Sequence, residues 1–346
     1  MKNFILYIIL LLSLNSFSQN LEPHLKKITR LTYGGDNAEA YFSRDGKFVS
    51  FQSNYSKWGL HCDQIFAMDL KKAAKDSTYK PPLISTGKGR TTCSYYMPDG
   101  KHILFGSTHL ASDSCPSVAY MKGKYLWDIY PEYDIFVSDL KGNITGQLTN
   151  TPGYDTEATI SPKGDMIVFT SDRSGDLELW TMKIDGTEQK QITFGLGYDG
   201  GAFFSPDGNK LVFRASRPQT ETEIKEYKDF LLKHLVAPTN MEIYTCNVDG
   251  SELKQITHLG KANWAPYFLP SGNKIIFSSN HNSEKGYNFN LFMINADGTG
   301  LTQITTKSNF NAFPMFSPNG KKLIFSSNRD NRGTRDTNLF IADWVD

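Results

Sequence analysis

The sequence has no excess of charge of either sign. It contains 37 Lys and Arg against 36 Asp and Glu, and the first 18 residues hold one Lys and no acid, so the remainder is formally neutral. Proteins that bind nucleic acid normally carry a basic stripe or a high isoelectric point. The composition therefore argues against nucleic acid as a partner.

Long hydrophobic runs are also scarce. The N-terminal run, Phe4 to Leu14, is shorter than the roughly 20 apolar residues that a membrane-spanning helix needs. Lys2 precedes it and the small residues Ser16 and Ser18 follow it, which is the pattern of a secretory signal peptide. We therefore expect residues 1–18 to be a signal peptide. Residues 19–346 should then form a periplasmic or secreted monomer without a membrane-spanning segment.

Common catalytic motifs are missing. The sequence contains no GxSxG nucleophile elbow, no HExxH pair and no phosphate-binding P-loop. Ser, His and Asp occur in many loops, but abundance alone does not mark a catalytic triad. These absences favour a binding protein over an enzyme.

Cysteine is rare, with four residues in the chain. An exported protein meets an oxidising compartment, so a disulfide is expected, and among Cys62, Cys93 and Cys115 we predict the pair Cys93 with Cys115. Cys246 lies inside a predicted strand and is expected to be a buried free thiol.

A divalent metal ion is an alternative use of the same region. His61, Asp63 and His109 are of the types that bind zinc or copper, and they should lie on neighbouring loops. No CxxC or HxxxH pair accompanies them. No other cofactor is predicted.

A turn motif is repeated along the chain. It combines Pro or Arg, an acidic or small residue, and a Gly that supplies the positive φ of a tight hairpin turn. Its six copies are Phe42 to Gly46, Tyr96 to Gly100, Ile160 to Gly164, Phe204 to Gly208, Phe268 to Gly272 and Phe316 to Gly320. An apolar run ending in Phe follows each copy, then a third apolar run, and in most repeats a second turn and a fourth strand. Four strands per repeat predict an all-β protein, a six-bladed β-propeller of four-stranded antiparallel blades.

The last repeat is incomplete, because the chain ends at Asp346 just after the third strand. Lys27 to Thr32, before the first repeat, matches the fourth-strand pattern. We therefore predict that the N-terminal strand completes the sixth blade, which closes the ring and removes an exposed sheet edge.

Several of these features together resemble the propeller repeat of the TolB family. They are the SPDG-type turns, the Asp-Gly turns, the Gln-Ile-Thr endings, and the segments Ser171-Asp172-Arg173 and Ser327-Asn328-Arg329, from about Leu25 to Asp346. The resemblance implies a six-bladed periplasmic propeller that binds proteins, which in TolB are partners of the Tol system of the cell envelope. TolB carries an α/β domain before its propeller, whereas only about six residues here separate Gln19 from the first repeat strand. We expect the TolB fold without that domain, and a protein partner in the cell envelope.

The long insertions are predicted to share one face of the ring, opposite the tight turns. They are Asn54 to Asp63, Ser107 to Tyr133, Arg214 to Met241 and Asn280 to Asn290. We call this the insertion face and the opposite one the turn face. Loops on a rigid scaffold often carry function, so the insertion face is the predicted binding face.

The blade-four insertion is predicted to contain a helix. Thr220 and Glu223 match a capping box, and apolar residues follow at helical spacing, namely Ile224, Tyr227, Leu231, Leu232 and Leu235. This stripe either packs on the propeller or docks a partner. In the blade-two insertion, Trp127 and Tyr130 suit a protein or sugar surface, and packing onto blade two is the alternative.

Alignment of the blades on their turns groups further candidate residues. One position, near the start of the innermost strand, holds Glu39, Cys93, Glu157, Gly201, Ala265 and Phe313. Glu39 and Glu157 could bind a cation or a ligand amine there, or be solvated acids. A second position, just after the second strand, holds Tyr55, His109, Arg173, Arg217, His281 and Arg329. Its basic members could attract an anionic ligand or pair locally across blades.

Two functions are compatible with this pattern. The first is a non-catalytic scaffold that binds a protein on the insertion face. The second is a metal-assisted carbohydrate-active lyase or hydrolase with its site over the central channel, since His61, His109, His281, Glu39 and Glu157 are predicted to lie on that side.

Overall fold

The computed structural model describes residues 22–346, and the predicted signal peptide lies outside the described residues. The repeats form six antiparallel sheets, whose innermost strands contact one another in ring order. The protein is therefore a six-bladed β-propeller, and the predicted fold class is confirmed. No helix within residues 22–346 has the length and apolar character to cross a membrane.

The strands follow the repeats along the chain. The N-terminal strand and blade one are β1 (Leu25–Arg30), β2 (Asn37–Phe42), β3 (Phe48–Ser53) and β4 (Gln64–Asp69). Blade two and its insertion are β5 (Thr91–Tyr96), β6 (His102–Ser107), β7 (Trp127–Asp128), β8 (Asp134–Asp139) and β9 (Ile144–Gln147). Blade three is β10 (Asp155–Ile160), β11 (Met166–Ser171), β12 (Glu178–Lys183) and β13 (Lys190–Gln191).

The second half of the ring repeats this order. Blade four and its insertion are β14 (Asp199–Phe204), β15 (Lys210–Ala215), β16 (Leu235–Val236), β17 (Glu242–Asn247) and β18 (Lys254–Gln255). Blade five is β19 (Asn263–Phe268), β20 (Lys274–Ser279), β21 (Asn290–Asn295) and β22 (Thr302–Gln303). Blade six is β23 (Asn311–Phe316), β24 (Lys322–Ser327) and β25 (Asn338–Trp344). The helical segments are a 3₁₀ turn at Ser56–Trp58, α1 (Leu70–Ala73) and α2 (Glu221–Leu231).

One Phe of each second strand forms the centre of the core. These equivalent side chains are fully buried in all six blades: Phe51, Phe105, Phe169, Phe213, Phe277 and Phe325. They pack between neighbouring sheets because alternate residues of a strand point to opposite faces, and both faces of a blade are covered. The hydrophobic effect therefore acts mainly at the contacts between blades.

The ring closes as predicted. β1 pairs antiparallel with β25, with Thr29 opposite Ile341 and Arg30 opposite Phe340. Beyond the strand, the Leu31 amide donates to the Leu339 carbonyl at 2.8 Å. Blade six is thus built from the two ends of the described chain.

Blade one departs from the four-strand pattern. Its sheet has the three strands β2, β3 and β4, and a single bridge between Phe66 and Leu83 replaces the fourth strand. Pro81 and Pro82 lie just before that bridge and cannot donate to a sheet ladder, because proline has no amide hydrogen. Pairing is therefore limited to a few bonds, such as the one from the Ile84 amide to the Ile65 carbonyl at 2.8 Å.

The insertions of blades two and four pair with each other. β7 and β16 form a two-stranded antiparallel sheet, and the Ile129 amide donates to the His234 carbonyl at 2.8 Å. Lys124 of one insertion forms an ion pair with Glu226 of the other. The two predicted insertions thus form one connected structure on the insertion face.

The predicted helix of blade four is present, and its capping box between Thr220 and Glu223 is formed. The Tyr227 hydroxyl donates to Asp176 of blade three, and Tyr227 and Leu231 pack against the cluster that contains Tyr198. The helix therefore packs on the propeller. Leu232, the C-cap residue that follows the helix, is 83% exposed, so this residue does not belong to the buried stripe.

Candidate binding site at the channel mouth

Two cavities occupy the central channel, one at each mouth. The cavity on the insertion face has a volume of about 490 Å³ and is lined by innermost strands and by the blade-two insertion. The cavity on the turn face has about 420 Å³ and is lined by turn residues such as Pro162, Pro206 and Pro318. The predicted separation of turns and insertions onto two faces therefore agrees with the cavity linings.

An aromatic layer lies between the two cavities. The Tyr41 ring lies 5.7 Å from the Tyr95 ring and 5.6 Å from the Phe203 ring, and Phe203 lies 5.2 Å from Tyr267. These side chains belong to the core or pack against it. Tyr41 and Phe203 form the floor of the insertion-face cavity, whereas Tyr95, Phe203 and Tyr267 line the turn-face cavity. The channel is therefore filled at its centre, and a ligand would meet this cavity from the insertion face.

The first aligned position proves to be a bulge in every innermost strand. Pairing with the second strand shifts register there in all six blades. All six residues have left-handed φ values of 49° to 62°: Glu39, Cys93, Glu157, Gly201, Ala265 and Phe313. All six also line the insertion-face cavity, because a β-bulge redirects the side chain of the extra residue. Five of them are not glycine, so the ring holds conformational strain at the channel mouth.

Glu157 is fully engaged within the protein. It forms an ion pair with Arg214, and it accepts hydrogen bonds from the Tyr198 hydroxyl at 2.9 Å, the Thr170 hydroxyl at 2.8 Å and the Gly201 amide at 2.9 Å. Both members of the ion pair are nearly buried. These contacts fix the position of the Glu157 carboxylate, and the carboxylate in turn holds the Arg214 guanidinium.

The Arg214 guanidinium lies over two aromatic rings, 5.1 Å from the centre of Trp127 and 5.0 Å from that of Tyr198. Two glycines of β14 leave the space that this ion pair occupies, because they have no side chain. A Cβ on Gly201 would overlap the Arg214 guanidinium, and a Cβ on Gly200 would overlap Glu157 and Tyr198. The Gly-Gly pair in blade four is therefore required by the ion pair.

Sequence reasoning did not identify Arg214, although a signal existed. It occupies the sixth position after the turn glycine, and the other blades have uncharged residues there: Gln52, Gly106, Thr170, Ser278 and Ser326. A lone charge at a core position, opposite the only Gly-Gly pair among the aligned innermost strands, predicts a buried partner.

Glu39 lies in a different environment from Glu157. The Tyr41 hydroxyl is 3.4 Å from its carboxylate, and the Cys93 thiol is a second hydrogen-bonding neighbour. Burial raises the pKa of Glu39 to about 7, and the charge of Glu157 adds to the rise, whereas Cys93 and Arg214 oppose it. Glu39 therefore changes its charge near neutral pH.

The rest of the cavity lining includes a second ion pair and several aromatic side chains. Arg90 bonds to Asp63 at 3.0 Å. The Trp127 ring lies 5.2 Å from the Trp264 ring, and the Tyr130 hydroxyl donates to the Ser117 carbonyl at 2.8 Å. The predicted residues Glu39, Glu157, Trp127 and Tyr130 thus come together in one cavity.

The basic residues of the second aligned position point elsewhere. Arg173 bonds to Asp155 and Arg217 to Asp199, each within its own blade, and Arg329 pairs with Glu22 from before β1. The guanidinium groups lie over third-strand aromatic rings, such as Trp180, Tyr244 and Phe340. Ion pairs within the protein therefore account for the positions of these three arginine side chains. The pairs formed by Arg173 and Arg217 lie within blades, so the expected pairing across blades is wrong for these two.

The histidines of the same position have an equivalent structural role. The Nδ1 atom of His109 lies 2.9 Å from the Ser107 hydroxyl, and that of His281 lies 3.0 Å from the Ser279 hydroxyl. Their rings pack against Phe136 and Phe292. Burial lowers the pKa of both imidazoles, so the neutral form is favoured.

The predicted metal ligands do not form a cluster. His61 is exposed, Asp63 is bonded to Arg90, and His109 packs on Phe136. Within residues 22–346 there is no group of three or more His, Cys, Asp or Glu that could hold a metal ion.

The predicted disulfide Cys93–Cys115 is wrong. Cys62 bonds to Cys115, with the two Cα atoms 5.9 Å apart, and Cys93 is a free thiol. The physical reason is that Cys93 occupies the bulge position, which turns its side chain into the channel beside Glu39. Cys62 and Cys115 lie in the insertions of adjacent blades, which brings their thiols within bonding distance. Cys246 is a buried free thiol, as predicted.

Comparison with known proteins agrees with this geometry. A family model described as the TolB beta propeller domain matches residues 130–234. The structure is similar to that of a putative TolB from Agrobacterium tumefaciens, with 19% identity, a TM-score of 0.57, and coverage of 90% of this chain and 91% of that chain. The chain shares the propeller fold of that structure, and its residues 130–234 are similar to the TolB propeller domain.

Two further solved structures share the propeller fold. TolB from Acinetobacter baumannii has 18% identity and a TM-score of 0.52, and the match covers 90% of this chain and 64% of that chain. An oligogalacturonate lyase in complex with manganese has 15% identity and a TM-score of 0.50, with 92% and 93% covered. Similarity at these levels of identity establishes the fold, and the function must be argued from the site.

Proposed function

We propose that the protein is a non-catalytic scaffold of the cell envelope whose insertion-face channel mouth docks a protein partner. The observation that carries this proposal is the combination of an aromatic cavity, in which both arginines are paired within the protein, and an exposed apolar rim. Arg90 and Arg214 are already paired with Asp63 and Glu157. Aromatic side chains in a desolvated pocket are the usual anchors of protein interfaces.

The rim of the cavity is unusually apolar for a solvent-exposed loop. In the blade-two insertion, Val118 is 62% exposed, Tyr120 87% and Tyr125 56%, and Val118 and Tyr125 also line the cavity. Exposed apolar side chains grouped beside a pocket mark interaction surfaces. The pairing of β7 with β16 holds this insertion in place, which lowers the entropy that binding must overcome.

Export of the protein belongs to the same proposal. The Cys62–Cys115 disulfide is compatible with an oxidising compartment such as the periplasm or the exterior. The resemblance to the TolB family supports an envelope protein as the partner. We propose a monomer as the binding unit.

The test compares two variants that place the same charge on opposite faces. Tyr125→Glu alters the insertion-face rim, and Leu140→Glu alters an exposed apolar residue next to the Gly142 turn. From crosslinked envelope extracts, the unmodified protein and Leu140→Glu should capture the same partner protein. Tyr125→Glu should capture at least tenfold less of it. Equal capture by both variants, or no specific protein at all, would contradict the proposal.

A second candidate is a metal-assisted carbohydrate-active lyase or hydrolase, which the raised pKa of Glu39 favours. A carboxyl group with a pKa of about 7 in an aromatic cavity has the properties of a general acid or base. This candidate predicts that the purified protein cleaves an oligosaccharide when a divalent ion is added. It also predicts that Glu39→Gln lowers the rate by 10² or more. Unchanged activity in Glu39→Gln would remove Glu39 from that role.

A further inference from the structure

The charges that line the insertion-face cavity do not balance. The lining contains four carboxyl groups, of Glu39, Asp63, Asp128 and Glu157, and two guanidinium groups, of Arg90 and Arg214. The two arginines are paired with Asp63 and Glu157. Glu39 and Asp128 therefore have no arginine of their own in the lining, and the cavity favours positive charge.

Glu39 is the deeper of these two acids. It stands at the bulge of β2, beside the aromatic floor formed by Tyr41 and Phe203. Asp128 lies in the blade-two insertion and accepts a hydrogen bond from the Ala119 amide at 3.1 Å. A cationic group that enters past Asp128 would thus approach Glu39.

The walls of the cavity are suited to a cation. Trp127, Trp264 and Tyr125 lie together, with ring centres 5.2 Å apart for Trp127 and Trp264 and 6.1 Å apart for Tyr125 and Trp264. Aromatic faces attract a nearby cation through their quadrupole, most strongly when water is excluded. The protein uses this chemistry itself, because Arg214 lies over Trp127 and Tyr198.

We propose that the cavity binds a basic side chain of the partner, with Glu39 as its counter-charge and the rings of Trp127 and Trp264 as its walls. This inference rests on the proposed function and adds the chemical identity of the anchor. The long apolar stem of Lys or Arg would contact the rings, and the charged end would reach Glu39.

Proton linkage gives the proposal a measurable signature. The groups that face Glu39 are the Tyr41 hydroxyl on its own strand, the Cys93 thiol on β5, and the charges of Asp63, Glu157 and Arg214. Burial raises the pKa of Glu39, so its neutral form is favoured in the empty cavity below about pH 7. A bound cation favours the carboxylate, which lowers that pKa and releases a proton. Affinity should therefore rise with pH, by about tenfold between pH 6 and pH 8.

The experiment uses small probes and calorimetry. N-acetyl-lysine methylamide and N-acetyl-arginine methylamide are titrated into the full mature protein, with the norleucine analogue as the neutral control. At least one cationic probe should bind at least tenfold more tightly than norleucine and quench tryptophan fluorescence. Binding at pH 6 should release a proton, which appears as a dependence of the heat on the ionisation enthalpy of the buffer.

Matched variants test the role of Glu39. Glu39→Gln should weaken binding of the cationic probe at least tenfold and should abolish the pH dependence of its affinity. Glu132→Gln makes the same charge change at an exposed residue outside the lining and should have no effect. Equal binding of norleucine, or binding of the cationic probes without proton release, would overturn the inference. If the cationic probes do not bind while Tyr125→Glu still loses the captured partner, the inference is wrong and the proposed function stands.

Discussion

At the scale of single residues, one buried ion pair determines the sequence around it. Arg214 needs Glu157 as its partner, and it needs Gly201 because any side chain there would overlap the guanidinium. Removal of one member of a buried pair leaves an uncompensated charge, which costs more than the pair contributes. The strain at any one bulge position, about 1 to 3 kcal/mol, is smaller than the roughly 3 to 5 kcal/mol that breaking a buried pair costs.

The expected consequence is a large difference between two Gly→Ala substitutions. Gly201 and Gly260 have similar φ values of 62° and 65°, but a Cβ on Gly260 has no neighbour within 4 Å. Gly260→Ala should lower the free energy of unfolding by about 1 to 2 kcal/mol through backbone strain alone. Gly201→Ala should lower it by about 3 to 5 kcal/mol, because the ion pair must also move. Denaturant unfolding measures both, and equal losses would show that Arg214 does not depend on the space at Gly201.

The residue scale also shows what a repeat alignment can predict. The alignment placed six residues at one position, and the structure confirms that all of them share the bulge conformation and the cavity. It could not reveal that Glu157 is paired and that Glu39 has no arginine partner, because the partner Arg214 belongs to blade four alone. Repeats determine positions, whereas charge pairing depends on the residues that differ between repeats.

At the scale of elements, the repeated strands were predictable and the insertions were not. Turn motifs and apolar runs are local signals, so they locate each hairpin. The sheet of β7 with β16 joins residues more than a hundred positions apart in two unrelated insertions. The disulfide Cys62–Cys115 likewise joins the insertions of blades one and two, and sequence alone cannot give such connectivity.

The disulfide should stabilise this face of the propeller. Cys62 and Cys115 are 53 positions apart, and the chain-entropy model for a loop of that length gives about 4 kcal/mol. We expect Cys115→Ser to lower the melting temperature and to abolish the effect of a reductant, which should lower the melting temperature of the unmodified protein. Cys93→Ser is the control, because that thiol is free, and it should retain the response to reductant. A melting temperature that does not respond to reductant in the unmodified protein would be incompatible with this role.

At the scale of the whole molecule, stability depends on a ring whose last blade is made from both chain ends. β1 covers the edge of β25, and Leu25 is buried in a cluster of side chains from blades five and six. A ring without this strand would expose a sheet edge that can pair with another chain. Closure was predictable because the missing strand and the surplus strand match the same pattern.

Two substitutions on β1 test this closure. Leu25→Ala should lower the free energy of unfolding by about 2 to 5 kcal/mol, as is usual for a buried leucine, and should increase association on size-exclusion chromatography. Lys26→Ala changes the adjacent, exposed residue and should stay within about 0.5 kcal/mol. Similar effects of the two substitutions would mean that β1 does not complete blade six.

Hydrogen exchange on the complex with the captured partner tests the central claim, that the insertion-face channel mouth is the binding surface. We predict slower exchange in the segments 118–130 and 263–265, which contain residues of the cavity lining, and unchanged exchange in the turns around Pro162, Pro206 and Pro318. Slower exchange confined to those turns would place the partner on the opposite face and contradict the account.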